Sequence, residues 1–304
     1  MGALSGAGLL LYGIRLLSRG MQRMAGKRLR RLLERLTCSP ARGVLVGLAV
    51  TAVLQSSSAT TVMVVGLVDA GLLRLREAIG VILGANIGTT VTAQLVALDL
   101  DYVVIPAGAV GLVLLEAGRQ EGARNLGRLL VGLGLIFGGL GIMSRNLVGL
   151  SQNAFFLSLL TNLGRRPPAA IAAAALVTGV MQSSSAVTGM IIALADAGLL
   201  QLPEAVALVL GSNIGTTATA LLAGLAAGVN GRRAALVHLL FNVLGVTVLM
   251  PFLPQFVRLV AFTSPDLARQ IANAHTLFNL MSVALFLPWV GVLEHLAIAL
   301  LPGF

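Results

Sequence analysis

Residues 50–95 read VTAVLQSSSATTVMVVGLVDAGLLRLREAIGVILGANIGTTVTAQL, and residues 177–222 read VTGVMQSSSAVTGMIIALADAGLLQLPEAVALVLGSNIGTTATALL. Laid together at a constant offset of 127, without gaps, 29 of the 46 positions are identical. Identity at that level marks an internal duplication, and it decides the architecture before any other feature does. Gln55-Ser-Ser-Ser-Ala59 returns as Gln182-Ser-Ser-Ser-Ala186, and Asn86-Ile-Gly-Thr-Thr90 returns as Asn213-Ile-Gly-Thr-Thr217. A fainter echo links Gly8–Arg19 to Gly134–Arg145, so each unit opens with a spanning helix.

Working outward, the composition is that of a membrane protein. Hydrophobic residues make up 57% of the 304 and charged residues 11%, against about 25% charged in ordinary globular domains. A soluble enzyme of this size is excluded. The formal net charge is +10, and +7 of it lies between Arg19 and Arg42, where eight basic residues accompany Glu34 alone. With apolar runs on both sides and no aromatic stacking positions, this reads as a cytoplasmic connector at the membrane surface rather than a nucleic-acid site. Cys38, the one cysteine, has no partner for an internal disulfide. The apolar stretch Gly2–Leu17 has its positive charge behind it, the reverse of a secretory signal, and reads as a first transmembrane helix.

Within each unit the apolar runs flanking Gln-Ser-Ser-Ser are too short to cross. Gly43–Leu54 offers 12 residues, whereas a crossing needs about 20. They fit a re-entrant helical hairpin with the polar cluster at its tip. The next run, Glu77–Leu98, is long enough but carries Asn86, Gly88, Thr89 and Thr90 in its middle, the pattern of a broken helix. If the hairpin does not cross, the spans before the second unit are Gly2–Leu17, Glu77–Leu98 and Tyr102–Leu115. Three is odd, so the second unit is inverted. Charge agrees, because Arg74 and Arg76 follow the first hairpin where Gln201, Pro203 and Glu204 follow the second. Arg145, Arg165 and Arg166 run against the rule, while Asp99 and Asp101 obey it. Two further apolar stretches, Ala234–Leu249 and Ile271–Val292, are joined by a loop with Pro251, Pro254 and Pro265. The expected architecture is an all-α polytopic membrane protein of two inverted-topology repeats, each with a re-entrant helical hairpin and a broken transmembrane helix. Its parts are a first helix (1–18), the basic connector (19–42), the remainder of repeat 1 (43–118), repeat 2 (126–228) and C-terminal helices (232–304).

Two amides and six hydroxyls at hairpin tips, at membrane depth, cost several kcal/mol each if unsatisfied. Serine clusters also serve as helix-to-helix glue, but a cluster duplicated intact beside a glycine-interrupted helix points to a substrate path. Gln55, Ser56, Ser57, Ser58, Gln182, Ser183, Ser184 and Ser185 are the expected substrate ligands. Hydroxyls and amides both donate and accept. No lysine or arginine lies in either motif, so the charge of an anionic substrate would have to be met by these donors, by helix N-termini and by co-bound cations. Carbonyls freed at the glycines, with asparagine and threonine oxygens, suit Na⁺. Asp69 and Asp196, near the hairpin ends, fit ion ligands, proton carriers or interfacial caps. His238-Leu-Leu-Phe-Asn242 and His275-Thr-Leu-Phe-Asn279 share a His-x-x-Phe-Asn pattern, and with no carboxylate close in sequence they read as packing histidines beside ion-ligating asparagines rather than a transition-metal site. His295 reads as structural.

The paired Gln-Ser-Ser-Ser clusters, the Asn-Ile-Gly-Thr motifs and the His-x-x-Phe-Asn segments resemble the sodium-dependent phosphate cotransporters of the type II class and their bacterial relatives, from about Gly8 to Pro288. The resemblance implies that phosphate and sodium are held between two inverted repeats, at Gln55–Ser58 and Gln182–Ser185, with Asn279 associated with sodium. Thr276 stands where the family has an aspartate, which implies little net charge moved per phosphate. The full sodium set is Thr61, Asn86, Thr89 and Thr90, then Thr188, Asn213, Thr216 and Thr217, and finally Asn242, Thr276 and Asn279.

The expected function is sodium-coupled phosphate uptake by alternating access, as a multi-pass protein of the cytoplasmic (inner) membrane. No catalytic residue and no cofactor are expected beyond sodium as coupling ion, and no nucleic-acid partner; a homo-oligomer is compatible with this reading. A transporter of sulfate or a dicarboxylate is the alternative, although a dicarboxylate site favours an arginine clamp that neither motif contains. An intramembrane serine hydrolase with Ser57 or Ser184 as nucleophile gains little, because three adjacent serines duplicated by symmetry describe two equal half-sites.

Overall fold

A computed structural model describes residues 2–25, 39–98, 101–148, 153 and 166–302. Most of the basic connector (26–38, with Cys38), Asp99 and Arg165 lie outside the described residues. Among the described residues the regular elements are helices: α1 Gly2–Ala25, α2 Pro40–Leu54, α3 Ser57–Asp69, α4 Leu75–Val96, α5 Asp101–Ala117, α6 Glu121–Leu147, α7 Pro167–Met181, α8 Ser184–Asp196, α9 Leu202–Gly215, α10 Thr217–Leu225, α11 Val229–Leu249, α12 Leu253–Ala261, α13 Leu267–Phe286 and α14 Val290–Leu300. By length and composition four runs can cross a bilayer: α4, α6, α9 with α10, and α11 with α12. Counted as one span, the pair α13 and α14, bent by 84°, makes a fifth. The chain is thus a polytopic all-helical membrane protein.

The duplication is carried into backbone packing. α2 lies against α4 and α7 against α9 so closely that a Cβ on Gly84 would stand 2.0 Å from the Val44 carbonyl oxygen, and one on Gly211 2.2 Å from that of Ile171. Only glycine permits such contact. Starts are fixed locally. Ser39 caps α2 by accepting the Arg42 N–H, with Pro40 at the first helical position. At the start of α4 the Glu77 carboxylate accepts the Arg74 backbone N–H at 3.3 Å and pairs with its guanidinium, and Asp266 accepts the Arg269 N–H at 2.7 Å to open α13. Around these pairs, Leu10, Ile136, Ile192 and Ile271 join α1, α6, α8 and α13 in one buried cluster. Val50, Val64, Ile82 and Ala234 join α2, α3, α4 and α11 in another.

Two expectations are overturned. The predicted break in the first unit is absent: α4 runs unbroken through Asn86-Ile-Gly-Thr-Thr90. Its polar side chains bond back to their own helix, Asn86 Nδ2 to the Ile82 carbonyl at 2.9 Å, Thr89 to Ala85 at 3.0 Å and Thr90 to Ile87 at 2.7 Å. Gly88 serves close packing instead, since a Cβ there would meet the Leu48 carbonyl oxygen at 2.7 Å. The second unit is interrupted only at Thr216, which stays right-handed and donates its N–H to the Ser212 carbonyl at 3.1 Å. The expected proline loop is largely helical. Pro251 and Pro254 occupy helix-start positions in a short 3₁₀ turn and in α12, where a missing N–H costs nothing.

Candidate functional site

Each Gln-Ser-Ser-Ser cluster forms the junction between two short helices, and the two junctions have the same geometry. Gln55 (φ 53°, ψ 30°) closes α2 and Gln182 (φ 53°, ψ 29°) closes α7, each N–H donating at 2.7 Å to Thr51 or Thr178. They are the only non-glycine residues with positive φ among the described residues. Left-handed backbone costs a side-chain-bearing residue about 1–2 kcal/mol, and glycine is the usual occupant. An amide retained twice at that cost is a sign of function. Ser56 and Ser183 then turn extended and cap α3 and α8, accepting N–H groups from Ala59 at 3.2 Å and Ala186 at 3.3 Å. The N–H groups of Ser57, Ser58, Ser184 and Ser185, in the first turns, have no partner within their helices.

Both junctions line one cavity of about 400 Å³, which takes in Gln55–Ser58 and Gln182–Ser185 together. Two helix N-termini, six hydroxyls and two amides thus converge on a space large enough for a tetrahedral oxyanion, and N-terminal N–H groups favour anions there. Thr89 and Met181 also contribute. Thr92 donates to Gln55 Oε1 at 2.7 Å, and Ser58 reaches across the halves to Thr219 at 3.3 Å.

The third wall was not anticipated. Leu11, Ile14, Arg15, Ser18, Arg19 and Gln22 form one face of α1 along the cavity. Ser18 donates to the Leu54 carbonyl at 2.7 Å and Gln22 Nε2 to Ser18 at 2.8 Å, which pins α1 to the first tip. Neither motif contains a cationic side chain, but Arg15 and Arg19 line the cavity from outside both motifs. A signal was available in the sequence, since Arg15, Ser18, Arg19 and Gln22 recur at helical spacing in an otherwise apolar run.

Of the eleven sodium candidates, Thr89 alone lines this cavity. Thr61, Thr90, Thr216, Thr217 and Thr276 donate to carbonyls of their own segments. Asn213 Oδ1 accepts from Asn279 Nδ2 at 3.1 Å and lies 3.2 Å from His275 Nε2. Asn242 Nδ2 donates to the His238 carbonyl at 3.0 Å. Buried oxygens of Thr188, Asn242 and Asn279 have no protein partner, which suits cation ligands. Thr276 also accepts from Gln94 Nε2 at 2.9 Å, a bond the sequence did not suggest. Asp69 and Asp196 end α3 and α8, are exposed and lie outside the cavity lining.

The chain matches the Na⁺/Pi-cotransporter family model over residues 9–145 and 147–287. It is 34% identical over 266 residues to an uncharacterized protein, YqeW, of Bacillus subtilis, covering 86% of this chain and 85% of that protein. It is 31% identical over 249 residues to a putative inorganic phosphate export protein, YjbB, of Escherichia coli, covering 82% of this chain but only 46% of that longer protein. A 60-residue stretch is 50% identical to sodium-dependent phosphate transport protein 2A of Ovis aries, covering 20% of this chain and 9% of that one. No solved structure shows significant similarity to the chain. Duplicated polar tips that line one cavity of a polytopic helical protein and a family match spanning both halves lead to the same result, and the chain belongs to the Na⁺/Pi-cotransporter family.

Proposed function

We propose that the chain moves inorganic phosphate across the cytoplasmic membrane by alternating access, coupled to sodium, with one phosphate held between the two Gln-Ser-Ser-Ser tips. The observation that carries this reading is the single cavity lined by both clusters. In it, α2 with α3 and α7 with α8 act as re-entrant hairpins of two inverted repeats. Support comes from helix lengths of 13 to 15 residues, short of a crossing, and from Arg74 and Arg76 after the first hairpin only. Sodium at the buried asparagine and threonine oxygens offsets the anion's charge, which gives coupling a physical basis. Uptake of labelled phosphate into proteoliposomes, with and without an inward sodium gradient, tests it: accumulation only with the gradient is expected, and equal entry without it would remove sodium coupling.

Export is a second reading. The polar end of the α1 face, from Arg15 to Gln22, is the end that leads to the basic connector, so the cavity's cationic wall lies toward the side that connector assigns to the cytoplasm. The Escherichia coli relative is named a putative inorganic phosphate export protein, which runs the same way. Loading the liposomes internally with phosphate and measuring efflux separates the two directions.

A further inference from the structure

We infer that Arg15 and Arg19 are a charge-compensating and specificity-determining pair: standing on the α1 wall of the cavity, they engage the substrate anion directly and favour its doubly charged form. The inference rests on the reading of the cavity as the phosphate site. The two arginines are one turn apart and face the same space as both serine clusters. Among the described residues neither makes an ion pair or a side-chain hydrogen bond, and no acidic side chain lines the cavity. The charged groups on the helices packed against α1 lie outside the lining as well: Glu121, Arg124, Arg128 and Arg145 on α6, Arg42 on α2 and Asp196 on α8.

Placement argues for more than a solvated surface charge. Arg15 and Arg19 are exposed, yet they project from the same helix face as Leu11, Ile14 and Ser18 and share the lining of one cavity with both clusters. A guanidinium presents several N–H donors in a plane and meets phosphate oxygens in pairs, whereas the serine and glutamine groups bring no net charge. Hydroxyls, amides and helix N-termini bind either protonation state of phosphate; two fixed cations add a term that grows with the anion's charge. The arginines stand on α1 and the cradle on the hairpins. Because Ser18 ties α1 to the first tip, movement of the second hairpin against α1 would draw half of the cradle away from the cations, and their pull on the anion would differ between states of the cycle.

The test is phosphate binding by the purified full chain, followed by isothermal titration calorimetry at fixed saturating sodium on either side of the second ionisation of phosphate. The unmodified protein is expected to bind more tightly at the higher pH, and to lose affinity when choline chloride raises ionic strength at constant sodium. Arg15→Gln with Arg19→Gln should weaken binding about tenfold or more per arginine and flatten the pH preference, while Arg15→Lys with Arg19→Lys should recover part of both. Wild-type affinity and pH preference in the glutamine pair would overturn the inference and leave the transport reading intact. If the glutamine pair does not fold, the unmodified protein decides, because affinity unmoved by choline chloride would overturn it equally. Absence of any phosphate binding by the unmodified protein would defeat both the inference and the reading beneath it.

Discussion

The two halves present the same tip on different supports. Gln55 is 6% exposed, with its amide oxygen held by Thr92 and its nitrogen donating to the Ala52 carbonyl. Gln182 is exposed and makes no side-chain hydrogen bond among the described residues. Thr219, the counterpart of Thr92, accepts instead from Ser58 of the opposite half. Deeper in the protein, Asn213 is joined to Asn279 and lies beside His275, while Asn86 bonds only within its own helix. Identical local sequence has fixed identical backbone, down to the left-handed glutamine. Side-chain partners come from whichever helices pass by, and α1 reaches the first tip through Ser18 and Gln22. The first tip is therefore held by neighbouring side chains, while the Gln182 amide has no such partner among the described residues.

The strongest way to break this comparison is to ask whether the halves are inverted. Single cysteines at Arg74 and Gln201, in a Cys38→Ser background, should react with a membrane-impermeant maleimide from opposite sides of the membrane. Reaction from the same side would reject the two-fold arrangement outright. Next in size is removal of each amide without disturbing its backbone: Gln55→Gly and Gln182→Gly ease the left-handed conformation while deleting a hydrogen bond to a charged ligand. Each should lower transport roughly 10- to 100-fold, at about 1.5–3 kcal/mol per such bond, with thermal stability unchanged or raised in Gln182→Gly and lowered in Gln55→Gly, which strips the buried Thr92 hydroxyl of its acceptor. Normal transport in either variant would move the site elsewhere.

Smaller effects sharpen the contrast between the two tips. Thr92→Val leaves Gln55 Oε1 buried without its donor and should cost about tenfold in phosphate affinity, near 1.4 kcal/mol. Thr219→Val removes only the longer contact from Ser58, which the cavity can replace, and should cost about threefold or less by the same reasoning. Equal losses in the two would mean that the supports are equivalent after all. Smallest of all, Asn279→Ala should lower the melting midpoint in detergent by a few degrees more than Asn242→Ala, since only Asn279 ties two helices together.

The duplication, the short helices and the polar tips were legible because each is written as a local pattern: identity at a fixed offset, run length, and polar residues inside apolar runs. The roles of Gly88 and Thr216 were not. A glycine that unwinds a helix and one that admits a neighbour look alike in sequence, and the difference lies in α2 passing at Leu48. The helical spacing of Arg15 and Arg19 marks a polar face, but not what that face meets. Their meaning depends on a helix remote in sequence from the second cluster coming to stand beside it, and in the sequence they merge with the basic run that follows. Pro251 and Pro254 read as loop residues because a helix start and a loop use proline equally well.

If two half-sites make one phosphate site, stoichiometry reveals it. Titration calorimetry of the purified chain with phosphate in saturating sodium measures that stoichiometry directly. One phosphate per chain is expected, with binding lost in Ser57→Ala and in Ser184→Ala alike. Two phosphates per chain, or full affinity surviving in either variant, would contradict a shared site.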